Sequence, residues 1–145
     1  MWGDAVATLL EEEEMATAKQ LSVLLGNKPG RLAALCGLLA DAKVNIVALS
    51  VLENTDMGVV RLVVDKPKEA AKTLKENGLP VQTDDVLVVT LPNKVGIMAK
   101  VAAKLAAKKV NIHYVYGSTG SAGGKTTVVL SVDKKAVAAR ALARI

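Results

Sequence analysis

A single histidine, a single cysteine and fourteen carboxylates are what this 145-residue chain offers to thiol, imidazole, carboxylate or metal chemistry. His113 stands two residues after Asn111, in a stretch that reads as a strand, with no nucleophile or carboxylate beside it. Its expected place is a strand face. Cys36 occupies the apolar stripe of a predicted helix, where a buried thiol behaves as a small hydrophobe. The longest acidic run is Glu11–Glu14, without the Cys and His partners of a metal site. No catalytic group, metal site or cofactor is expected.

Two other stretches resemble chemistry at first sight. Gly117 to Thr126 ends in Gly-Gly-Lys-Thr, but a phosphate loop needs glycine five residues before the Gly-Lys-Thr, and that position is Thr119. A strand also follows Lys125 where a helix would be required, so the run is expected to be a flexible hairpin. Lys100, Lys104 and Lys108 recur at i, i+4, i+8 and describe a solvated helix face. RNA-binding sheets add aromatics for base stacking. The strands Leu87-Val88-Val89-Thr90 and Thr127-Val128-Val129-Leu130 carry none. A nucleic-acid partner is not expected.

What remains is a loop that occurs twice. Asn27-Lys28-Pro29-Gly30 is followed by Lys43-Val44-Asn45-Ile46, and Asn93-Lys94-Val95-Gly96 by Lys109-Val110-Asn111-Ile112, each 66 residues on. Between them Leu32, Leu35, Cys36 and Leu39 map onto Met98, Val101, Ala102 and Leu105, one face of a helix in both copies. A glycine turn leading into a helix offers backbone N–H groups and the positive end of a helix dipole to small anions. Asn45 and Asn111 follow the helix, and an Asn side chain carries both a donor and an acceptor. Turn formation and capping would use the same residue types.

Repetition at this length marks two copies of one structural unit. The first reads as strand 21–26, helix 30–42, strand 45–53, hairpin 54–58, strand 59–64 and helix from Pro67 to Asn77-Gly78, with Asp65 expected as its cap. Residues 80–84 supply a fourth strand. The second reads as strand 86–91, helix 95–108, strand 110–116, hairpin, strand 125–132 and helix 134–144, and lacks a fourth strand of its own. The fold class is therefore α+β: two ferredoxin-like βαββαβ units, each an antiparallel sheet with both helices on one face. The expected boundaries are an extension at 1–17, a first domain at 18–84 and a second at 85–145.

Charge divides along the same lines. Residues 1–20 carry five acids and one base (−4), residues 21–84 eight bases and seven acids (+1), and residues 85–145 ten bases and two acids (+8). The extension carries an apolar stripe of Trp2, Val6, Leu9 and Leu10, lies outside the repeat and is expected to be poorly ordered and dispensable to the fold. One cysteine excludes an internal disulfide and fits a reducing cytoplasm. No apolar run approaches the roughly 18–20 residues of a spanning helix.

The runs LSVLLGNKPGRLAALCGLLADAKVNIVAL and VVTLPNKVGIMAKVAAKLAAKKVNIHYVY resemble ACT domains, with their Asp/Asn-x-Pro-Gly turn, apolar helix and small-x-Asn-Ile strand. The resemblance covers residues 20–145, with Val95 replacing the proline in the second copy. It implies a non-catalytic regulatory protein that binds a small molecule, usually an amino acid, at interfaces between paired ACT units and signals to a partner. The implied contacts are Asn27, Lys28, Pro29, Gly30 and Asn45 in the first unit. In the second they are Asn93, Val95, Gly96 and Asn111. The first unit also resembles the ACT domain of acetolactate synthase small subunits, which makes an enzyme regulatory subunit the nearest alternative. A charge-mediated adaptor built on the basic unit is another. Acylphosphatases share the plan, and a catalytic reading by analogy with them would use Arg31 with Asn45. The unfilled edge of the second sheet implies a homo-oligomer.

Overall fold

The computed structural model describes residues 15–53, 56–119 and 123–143. Its elements follow one another as β1 (Met15–Gly26), α1 (Arg31–Asp41), β2 (Ile46–Glu53), β3 (Met57–Val64), α2 (Pro67–Glu76) and β4 (Val81–Pro92). Then come α3 (Ile97–Ala107), β5 (Ile112–Thr119), β6 (Lys125–Val132) and α4 (Lys135–Leu142). The apolar stripe of the extension and the hairpin tip at 120–122 lie outside the described residues.

Among those residues the chain forms two compact units, one of Lys19–Asp84 and one of residues 15–18 with 85–143. In the first unit the strands lie in the order β2-β3-β1-β4. β3 pairs antiparallel with both neighbours, from Gln20↔Val63 to Gly26↔Met57 on β1 and with Val51↔Val60 on β2. Alternate residues of a strand face opposite ways, so Leu21, Val23 and Leu25 of β1 join Val60, Leu62 and Val64 of β3. Leu35 and Leu39 of α1 and Ala70 and Leu74 of α2 close the same core. Each fully buried leucine contributes about 1.5–3 kcal/mol.

The second unit repeats the plan with β4, β6 and β5, pairing Val88↔Val129 and Tyr116↔Val129. Its core takes Leu87, Val89 and Leu91 from β4, Leu130 from β6, Val101 and Leu105 from α3, and Ala138 and Leu142 from α4. Two sequence boundaries shift here. The stretches expected as strands 80–84 and 86–91 are one strand, because polar Gln82-Thr83-Asp84 stay extended and exposed within β4. β1 begins at Met15, inside the segment assigned to the extension, and Ala16 is buried. No described strand follows α4. Met15 instead packs on the second core, and β1 neighbours β4, so residues 15–18 serve the unit that lacks a final strand.

The helix stripe also departs from expectation. Leu32 and Met98 are exposed and Cys36 is only half-buried, while Ile97, just ahead of the expected stripe, is buried. His113 is exposed on β5 at a register shift between Ile112 and Tyr114.

Both ends of α1 are set by left-handed residues. At the start, Lys28-Pro29-Gly30-Arg31 forms a type II turn: Gly30 has φ 86° and ψ −11°, and the Arg31 N–H donates to the Lys28 carbonyl at 3.3 Å. Proline presets the second position of such a turn and glycine tolerates the third. Lys94-Val95-Gly96-Ile97 repeats it, with Gly96 at φ 86° and the Ile97 N–H to Lys94 O contact at 3.3 Å. At the helix end Lys43 sits at φ 62°, the Lys43 N–H donates to Ala40 O at 3.0 Å and the Val44 N–H to Leu39 O at 2.9 Å. That is a Schellman ending with lysine where glycine is usual. Lys109 repeats it at φ 57°.

Asp65 does not cap α2, whose first residue is Pro67 and whose N-cap, Lys66, makes no side-chain capping bond. Its Oδ1 accepts the Asn45 N–H at 2.8 Å, and the Lys66 Nζ donates to Lys43 O at 3.1 Å. Asp133 and Lys134 make the same two contacts to Asn111 and Lys109, at 2.9 and 2.8 Å. The corner between helix and edge strand is thus tied down from the end of β3 or β6.

Asp65→Ala leaves the half-buried Asn45 N–H without its charged acceptor, a loss of about 1–3 kcal/mol by chemical denaturation. In the turns, Val95→Pro matches the φ that the second position requires and shrinks the unfolded ensemble. It is expected to raise stability by about 0.4–1 kcal/mol. Gly30→Val meets no neighbouring atom within 4 Å but forces a β-branched residue to φ +86°, so it is expected to lower the unfolding midpoint. A Val95→Pro chain less stable than the parent would contradict the turn geometry.

Candidate ligand site

The first-unit turn opens onto a depression of about 190 Å³. Leu25, Gly26, Gly58 and Val60 contribute buried or half-buried walls, Leu32 and Val51 exposed aliphatic ones, and Asn27, Lys28, Arg31 and Glu53 the polar groups. Sites for drug-sized molecules run to about 300–1,000 Å³, so this one suits a small metabolite.

Its polar groups converge on the end of β1. The Asn27 Nδ2 donates to Glu53 Oε1 at 2.9 Å, and the Asn27 N–H donates to Asp56 O at 3.0 Å. These bonds draw β2 and its hairpin to the turn. Arg31 lies across Gly26: its Nε would stand 3.7 Å from a Cβ placed there. Among the described residues no hydrogen bond or ion pair engages the side chains of Lys28 and Arg31. Two cations thus face solvent beside an apolar wall.

Of the residues expected from the sequence, Asn27 and Lys28 line the depression. Pro29 and Gly30 shape the turn without lining it. Asn45 is placed elsewhere, beyond the C-terminal end of α1, whose eleven residues span about 16 Å. Its N–H and carbonyl are both bound to Asp65, at 2.8 and 3.1 Å. One small ligand cannot touch the turn and Asn45 of the same unit. The same separation removes Arg31 and Asn45 as a joint catalytic pair within a unit.

In the second unit Asn93, Val95 and Gly96 form the equivalent turn and Asn111 the equivalent corner. Its hairpin also meets the turn: the Asn93 N–H donates to Gly124 O at 2.7 Å, and the Gly123 N–H to Asn93 O at 3.0 Å. Val95 is fully exposed. Glu53, absent from the sequence reading, and Arg31, named there only for the catalytic analogy, line the depression and correspond to Thr119 and Ile97 at the 66-residue offset. Comparing the copies for changes of charge singles out both.

Among the described residues no group of three or more His, Cys, Asp or Glu side chains could hold a metal, and no helix is long and apolar enough to cross a membrane.

No curated protein matches the chain. Among solved structures, protein BT0572 from Bacteroides thetaiotaomicron is 35% identical, with a TM-score of 0.83 over 90% of this chain and 89% of that one. The ligand-free regulatory subunit of aspartate kinase from Thermus thermophilus is 15% identical, with a TM-score of 0.65 over 88% and 91% of the two chains. The regulatory subunit from Thermus flavus is 18% identical, with a TM-score of 0.60 over 89% and 94%. The last two share the fold. The family model described as an ACT domain pair matches residues 16–143, and with two βαββαβ units over that span the chain belongs to the ACT domain pair family.

Proposed function

We propose that the chain is a non-catalytic regulatory module whose first unit binds a free amino acid and conveys its presence to a partner enzyme. The observation that carries this reading is the depression at the β1–α1 turn, where polar groups of both signs meet an aliphatic wall. The fold it shares with regulatory subunits of aspartate kinase supports a role beside an enzyme rather than as one. The ligand contacts proposed are Asn27, Lys28 and the turn carrying Pro29 and Gly30, with Arg31 and Glu53 added. Asn45 would enter only from a neighbouring ACT unit. Asn93, Val95, Gly96 and Asn111 are proposed to be structural.

Self-association is proposed on a new ground. The unfilled edge expected of the second sheet is met by β1, but β2 ends the first sheet with Leu49, Val51 and Leu52 exposed at 41, 52 and 57%. Exposed apolar edges are usually covered. Light scattering at micromolar concentration is expected to give a dimer or larger species; a clean monomer would contradict this.

The ligand reading is tested by a thermal-shift screen of the twenty amino acids. A ligand that binds only the folded chain adds about 2.7 kcal/mol at a hundred times its dissociation constant. For a chain of this size that is a rise of about 2–8 °C. No shift with any amino acid would sink the reading. A strongly salt-dependent pull-down in its place would favour an adaptor acting through the basic second unit, where Lys100 and Lys108 are exposed on and just after α3.

A further inference from the structure

Comparing the two units position by position separates what the fold needs from what one unit has added. The turn, its left-handed glycine, the Schellman ending and the aspartate tie at the corner occur in both. Three features of the depression do not. Gly26, beside Arg31, is Pro92 in the second unit. Arg31 is Ile97, which turns into the core at 7% exposure, and Glu53 is Thr119. A core isoleucine shows that the fold is content with an apolar residue here. The arginine is therefore not demanded by packing.

From this we infer that Arg31 and Glu53 are the polarity-setting residues of a zwitterion site that selects an aliphatic α-amino acid, one molecule per chain. The inference rests on the amino-acid reading above and goes beyond it in naming the side chains, the ligand class and the stoichiometry. A planar guanidinium pairs with a carboxylate through two parallel hydrogen bonds, and Lys28 adds a second positive charge on the same side. Glu53, fixed by the Asn27 amide at 2.9 Å, has acceptor capacity left for an ammonium group. Among the described residues no ion pair joins Arg31 to Glu53, so the two charges are available to a ligand instead of each other. The rest of the wall is Leu25, Leu32, Val51 and Val60, with no polar side chain to meet a polar ligand tail. An aliphatic side chain is the tail that this wall fits. Arg31 and Glu53 are both exposed, so removing either charge leaves the core intact.

The test is calorimetric titration of the full chain with L-leucine, with 4-methylpentanoate, which lacks the ammonium, and with isopentylamine, which lacks the carboxylate. The parent chain is expected to bind leucine at one per chain and each analogue at least tenfold more weakly. Arg31→Gln is expected to lose leucine affinity at least tenfold and to stop favouring leucine over the amine, with Arg31→Lys partly restoring both. Glu53→Gln is expected to stop favouring leucine over 4-methylpentanoate. Unchanged unfolding midpoints in the three variants confirm that the chain still folds. Leucine binding that neither charge-removing variant weakens, two molecules per chain, or tighter binding of L-aspartate or L-lysine than of leucine overturns the inference while leaving amino-acid sensing standing. Absence of binding by any amino acid overturns both.

Discussion

The left-handed glycine at the start of α1 is the constraint on which the rest depends. A strand that must turn within four residues into a helix packed on its own sheet needs one residue at positive φ, and Gly30 supplies it at 86°. That turn puts Arg31 at the first helical position, directs its guanidinium back across Gly26 and leaves Leu35 and Leu39 facing the sheet. The second unit makes the same turn with Gly96 but places Ile97 at the first helical position and buries it. One backbone device thus serves two ends: a core residue in one copy and a charged group over a depression in the other.

The far end of the helix follows the opposite rule, because there the two copies agree. Lys43 and Lys109 both take the left-handed conformation at a cost of about 1–2 kcal/mol relative to a right-handed residue. The cost is met by a local network: the Schellman bonds, an aspartate on the backbone of the next Asn, and a lysine on the carbonyl of the strained residue. Every part of this network recurs in both units. Asn45 and Asn111 are held there by their backbone groups, each bonded to the aspartate that follows the central strand.

Periodicity and turn chemistry carried most of the fold. The 66-residue repeat fixed two βαββαβ units, and proline, glycine and the i, i+3, i+4 spacing placed the helices within a residue or two. What stayed hidden was long-range. Nothing local says that Gln82-Thr83-Asp84 continue into Val86, or that residues 15–18 serve the second unit, since strand partners lie far away in sequence. Asp65 precedes a proline-started helix and so looked like a cap, but its carboxylate turns to the corner instead. The site was half legible. Asn27 and Lys28 follow from the motif, whereas Glu53, and Arg31 as a lining residue of the depression, stand out when the copies are compared for charge as well as for likeness.

The central claim is that the two units have one scaffold and unequal surfaces, with ligand binding confined to the first. The most direct measurement is the amide chemical-shift change of an isotopically labelled chain on titration with L-leucine. The account predicts saturable shifts at residues 25–32 and 51–60 and none beyond the noise at the matching residues 91–98. Shifts centred on 91–98, or equal shifts at both turns, would contradict it.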